Sequence, residues 1–190
     1  MPIKNPNETM SSSDPTLSRN ILEMATVASE FCNFIEDTSN LRQQAFFNSL
    51  QALVPLLYLR GTLLPDIEPE FPEANERFVT EEQYEGLFNA LRELTGDLDE
   101  FWYIDHSGTH ITETLKGSFA EHLADVYQDL KDFIMLFKKP QLAARENAIA
   151  SCKANYAPHW GARLANLLPA LHALVVEEKP ADQQDDFLID

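Results

Sequence analysis

The chain has 190 residues, 44% of them hydrophobic and 10% aromatic, enough to bury the core of one ordinary domain and too apolar for global disorder. Its 31 Asp and Glu outnumber its 14 Lys and Arg, leaving a net charge of -17. Such a field repels phosphate backbones and anionic lipid, which argues against nucleic-acid and membrane-surface binding, and it attracts cations or a basic protein surface.

Residues 1–14 are polar, with Pro2, Pro6 and three serines at Ser11–Ser13, and read as a disordered lead without a signal-peptide core. Ser13 or Asp14 can cap a first helix with Pro15 in its opening turn, where the missing N–H costs nothing. Ile21, Met24, Ala28, Phe31 and Ile35 recur at helical spacing towards Asp37. A second helix is expected over Leu41–Leu59, kinked or broken at Pro55 and ended by Gly61. Pro65, Pro69 and Pro72 then enforce an extended strap, with Ile67 and Phe71 as anchors among Asp66, Glu68, Glu70, Glu73 and Glu76. Those acids belong to the excess: residues 61–100 carry 12 acids and 2 bases, whereas residues 101–175 carry 7 of each.

Thr80 with Gln83 forms a capping-box pattern that opens a third helix ending before Gly96. Asp97–Thr112 reads as irregular, with Phe101-Trp102-Tyr103-Ile104 docking onto the core and room for one short strand. A fourth helix over Glu113–Lys138 has the plainest periodicity, through Leu123, Val126, Leu130, Phe133 and Phe137. A fifth covers Gln141–Tyr156, Pro158 breaks the chain, and a sixth runs from Trp160 to Val176. Residues 177–190 read as an acidic mobile tail. The expected fold is all-α, an irregular antiparallel bundle of five to six helices over residues 15–176 with a Pro-rich strap. No apolar run reaches the ~18 residues of a membrane span. Cys32 and Cys152, isolated at apolar helical positions, suit a reducing compartment, so the expected location is cytoplasmic.

Several motifs are familiar in this order: Pro55-Leu56-Leu57-Tyr58-Leu59, Leu63-Leu64-Pro65, Phe78-Val79-Thr80-Glu81-Glu82-Gln83-Tyr84-Glu85, the run His122 to Phe133, and His159-Trp160-Gly161 followed by Leu171-His172. Together they resemble the bacterial family called domain of unknown function 5063 over roughly Ile21 to Val175. The resemblance implies a helical fold and no stated activity, and it transfers no catalytic residue.

Three constellations could carry chemistry. On the fourth helix Glu121, Asp125, Gln128 and Asp132 fall within an arc of about 60°, with Asp129 beside it. Glu121, Asp125 and Asp132 are thus candidate oxygen ligands for Mg²⁺ or Mn²⁺, yet they lie opposite the apolar stripe, where a solvated helix face is the simpler reading. Glu81-Glu82-x-x-Glu85 with Asp129-x-x-Asp132 is similar to the carboxylate pattern of all-α nucleotide pyrophosphatases, although the second motif has Asp where Glu is expected and the spacing is too long. His106, His110 and Glu113 would share one side of a helix, but Gly108 argues for a loop there. His172, among Leu168, Leu171 and Val175, reads as a semi-buried hydrogen-bonded histidine. There is no nucleophile elbow, phosphate loop or dinucleotide fingerprint. The favoured reading is a non-enzymatic helical interaction protein that offers acidic segments, or a groove beside Trp102, to a partner with a basic surface, without a cofactor. The alternative is a divalent-metal-dependent hydrolase of the all-α pyrophosphatase type.

Overall fold

Local rules place most helix ends where they occur. In the computed structural model, which describes residues 14–38, 41–105 and 113–177, Asp14 caps a 3₁₀ turn at Pro15–Leu17 and helix α1 follows over Arg19–Glu36. Asp14 belongs to the fold rather than to a disordered lead: its carboxylate meets Arg145 at 2.5 Å. Residues 1–13 and 178–190, including most of the expected lead and tail, lie outside the described residues.

Helix α2 spans Gln43–Thr62 and carries Pro55 without a break. Gly61 does not stop this helix; it lets α2 approach the last helix. A Cβ at Gly61 would overlap the rings of Tyr156 and Trp160, and Trp160 is fully buried. The strap then runs extended to Thr80 with one 3₁₀ turn at Pro72–Ala74. Helix α3, Glu81–Thr95, opens on the expected capping box, with Gln83 N–H donating to the Thr80 hydroxyl at 3.2 Å and Thr80 N–H to the Gln83 side chain at 3.1 Å. It ends at Gly96, whose φ of 50° favours glycine.

The segment after α3 is more regular than its sequence suggests. Strand β1, Glu100–Asp105, pairs antiparallel with strand β2, Glu113–Ser118, in the register Phe101 to Gly117 and Tyr103 to Leu115. The expected fourth helix therefore loses its first six residues to a strand, and α4 covers Phe119–Phe137. Three contacts set that boundary. Gly117 leaves its Cβ space to the Phe101 ring, 2.8 Å from where the atom would sit, and Ser118 and Asp99 cap the helix by accepting from Glu121 N–H at 3.1 Å and Ala120 N–H at 2.8 Å.

Helices α5, Leu142–Asn155, and α6, Gly161–Glu177, are joined through a π-helical turn at Tyr156–Trp160. Pro158, expected to break the chain, sits inside that turn; the wider ladder accommodates its missing donor. The turn is filled by Trp160, whose indole N–H donates to the Cys152 carbonyl at 2.9 Å.

The six helices of the described residues form an all-α bundle around α4, which packs against α1, α3, α5 and α6, while α2 closes the far side against α1 and α6. Leu123, Val126 and Leu130 are fully buried, as the periodicity requires. Burial does not stop at that stripe. Ala124 and Leu136, on the carboxylate side of α4, are buried as well, so this helix is surrounded rather than half-solvated.

Candidate functional site

The carboxylates of α4 have been placed by this all-round packing. Asp125 accepts from the Tyr84 hydroxyl at 2.8 Å and from Arg163 Nε at 2.9 Å, which ties α3 and α6 to α4. Burial and the adjacent Asp125 carboxylate push the Tyr84 hydroxyl well above the ordinary tyrosine range, keeping it a donor. Asp129 accepts from Asn155 Nδ2 at 3.0 Å and meets His159 Nδ1 at 2.6 Å, holding the junction of α5 and α6. Asp132 accepts the backbone N–H groups of Phe78 and Val79 at 2.6 and 2.9 Å, which secures the end of the strap. Glu36 of α1 performs the reverse service, accepting from Tyr127 at 2.6 Å and Lys131 at 2.5 Å.

Of the three candidate ligands, Asp125 and Asp132 are therefore tied to different neighbouring elements, Asp132 through one of its two oxygens, and Glu121 is exposed in the first turn of α4. Glu81, Glu82 and Glu85 are exposed on α3, apart from the Asp129 clasp. His106 and His110 lie outside the described residues, and Glu113 is exposed on β2. Among the described residues no group of three or more His, Cys, Asp or Glu side chains is gathered closely enough to hold a metal ion.

Two of the concavities among the described residues adjoin the side chains singled out by the sequence. The first, of about 170 Å³, lies between the strap, α4 and α5; Asn75, Glu76, Arg77, Asp129, Asp132 and Asn155 supply its polar lining. The Asp129–His159 pair beside it has the form of an oriented general base, with the carboxylate on Nδ1, but no serine or cysteine among the described residues bonds to the ring to serve as its nucleophile. The nearby Cys152 thiol is buried, and burial pushes its pKa far up, as it pushes Cys32 up to about 12; both are core residues rather than nucleophiles.

The second, of about 370 Å³, is a groove between β1 and α6. Its floor is Phe101 and Phe119, and its walls are Leu98, Trp102, Pro169, Ala170, Ala173 and Leu174, with Asp97 and Glu100 at the rim. Strand alternation turns Phe101 inward, 7% exposed, and leaves Trp102 outward, 67% exposed, with Ile104 beyond it at 47%. Small residues on α6 make the hollow, and the hairpin supplies the aromatic wall.

A solved structure shares this fold. The crystal structure of protein BF1032 from Bacteroides fragilis, a structural-genomics target, is similar at 34% identity with a TM-score of 0.73, covering 87% of this chain and 97% of that one. The family profile described as domain of unknown function (DUF5063) matches residues 15–177. The chain belongs to that family. No curated protein matches it.

In this DUF5063 domain several polar residues sit elsewhere than their sequence context suggests. His172 is exposed rather than semi-buried, because the α6 face that meets α2 and α4 carries Leu164, Leu167, Leu171 and Val175 instead. The strap splits its two anchors: Ile67 packs on the core, whereas Phe71 stays 48% exposed and is held through its carbonyl, which accepts from Asn147 at 2.7 Å. Its acids Asp66, Glu68 and Glu70 alternate outward. His122 gave no signal in the sequence. It is 2% exposed, with neither ring nitrogen hydrogen-bonded, and stands edge-on to Phe101 and Tyr103 at ring separations of 5.2 and 5.6 Å. Burial, reinforced by Arg163, lowers its pKa from 6.5 to about 4, so it is a neutral ring under the hairpin. Among the described residues no helix is long and apolar enough to cross a membrane.

Proposed function

We propose that this domain is a non-enzymatic interaction module that docks a partner protein in the groove between β1 and α6. The observation that carries this reading is Trp102. A tryptophan two-thirds exposed, beside an apolar hollow of about 370 Å³, is uncommon on a domain whose other tryptophan is fully buried. Trp is among the residue types that supply most binding energy at interfaces, where its area is buried against a partner's apolar side chain.

Asp97 at the rim and the net charge of -17 set the partner's chemistry, a large apolar side chain flanked by Lys or Arg, while Glu100 beside it is paired with Lys116 at 2.5 Å. Charge then steers the encounter and the hollow supplies affinity. The acidic strap is a second source of steering, with Phe71 as its one exposed aromatic. The arrangement of α4 favours this reading over hydrolysis, since its carboxylates hold the bundle together.

The test is affinity purification at low and moderate salt with the intact chain, Trp102→Ala and Ala173→Arg. Both variants alter exposed positions, so circular dichroism and melting temperature should be unchanged. One partner retained by the intact chain, weakened by salt and lost with both variants, is expected. A partner set indifferent to both variants would sink the proposal.

A further inference from the structure

The small cavity between the strap, α4 and α5 holds two opposite charges that do not meet, and we propose that it binds a small zwitterion, a free α-amino acid with an apolar side chain. Asp132 supplies the anionic side. Its Oδ1 is fixed by the Phe78 and Val79 amides, while Oδ2 has no partner among the described residues. Arg77 supplies the cationic side, and it is the residue immediately before those clamped amides, so one clasp orients the carboxylate and anchors the backbone that carries the guanidinium.

Arg77 forms no ion pair or hydrogen bond with any described residue. The acid beside it, Glu76, is taken by Lys139 at 2.6 Å, and Asp129 is occupied by His159 and Asn155. Opposite charges lining one small cavity, the carboxylate fixed by two amides and the guanidinium carried by the anchored backbone beside them, offer complementary ends to a molecule that carries both. An ammonium has three N–H donors, and Asp132, Ser151 and Asn155, all of which carry acceptor oxygens, line the same space. A carboxylate suits the fork of Arg77. Phe133, Leu136, Ala148 and Cys152 give the remainder an apolar wall. At about 170 Å³ the cavity is smaller than the roughly 300–1,000 Å³ of drug-sized sites, which limits the ligand to a small metabolite.

The proposal does not depend on the Trp102 groove, and it is tested by thermal shift and isothermal titration on the full chain. The probes are glycine, L-valine and L-leucine, with isopentylamine and 4-methylpentanoate as leucine analogues that keep only one charge. Saturable binding of valine or leucine at millimolar concentration is expected, with each single-charge analogue about tenfold or more weaker, the effect of losing one charge-assisted contact. Arg77→Ala should weaken binding by a similar factor while leaving the ligand-free melting temperature unchanged, because Arg77 is exposed and unpaired among the described residues. No response to any amino acid at about 10 mM, equal binding of the single-charge analogues, or undiminished affinity in Arg77→Ala would each overturn the assignment.

Discussion

Asp132 separates a solvated helix face from a clasp. If its carboxylate merely faced water, Asp132→Ala would change stability by less than about 0.5 kcal/mol. In the structure its Oδ1 receives two backbone N–H groups, from Phe78 at 2.6 Å and Val79 at 2.9 Å. A hydrogen bond to a charged group contributes about 1.5–3 kcal/mol when sequestered, and this partly buried pair should reach about 2–4 kcal/mol together, since water can replace part of what is removed. For a urea slope of about 2 kcal/mol/M, that loss moves the unfolding midpoint down by about 1–2 M. Asp132→Asn retains an acceptor oxygen without the charge and should recover about half. Hydrogen exchange gives the local readout: the Phe78 and Val79 amides should lose protection in Asp132→Ala at denaturant-free conditions, before any global change. A midpoint shift below about 0.25 M with those two amides still protected would show that the clasp contributes nothing and that the polar side of α4 is solvated after all.

Leu130, fully buried at the centre of α4, should cost about 2–5 kcal/mol as Leu130→Ala in a urea titration. Gly61→Ala should destabilise by about 1–3 kcal/mol or more, read as a lower melting temperature, because its methyl would overlap Tyr156 and the immobile Trp160. His122 makes the fold acid-sensitive: with its folded pKa lowered to about 4 from 6.5, the unfolded chain gains a proton between those values that the native state refuses. Stability is therefore full above pH 6.5, falls by about 3 kcal/mol towards pH 4 and levels below it; urea titrations at pH 7 and 4.5 should show that fall reduced in His122→Phe. Mg²⁺ and Mn²⁺ at millimolar concentration should leave the melting temperature unmoved, because Asp125 and Asp132 already serve Tyr84, Arg163 and the strap amides; a saturable rise lost in Asp125→Ala would restore the metal reading.

Sequence by itself determined what depends on neighbours a few positions apart. The capping box at Thr80 and Gln83, the stop at Gly96, the extended course of the Pro-rich strap and the buried stripe through Leu123, Val126 and Leu130 follow from backbone geometry and helical period, which short windows contain. The sequence named a groove beside Trp102 but not its walls: Phe101-Trp102-Tyr103-Ile104 read as docking onto the core, and the opposite wall comes from α6 some seventy positions later. Tertiary structure decided the rest. Periodicity reports which face of α4 is apolar but not what covers the other face, and the partners of its acids lie far along the chain: Asp125 meets Tyr84 and Arg163 at separations of 41 and 38, and Asp132 meets Phe78 at 54. The same distance effect hid the hairpin, because Glu113–Ser118 continues the helical pattern of α4 until Phe101 claims the space at Gly117. It hid His122 too, whose burial is created only when Phe101 and Tyr103 close over it. A carboxylate drawn into a packed bundle needs hydrogen-bond donors, and only the assembled bundle supplies those that turn Asp125, Asp129 and Asp132 from a wet face into clasps.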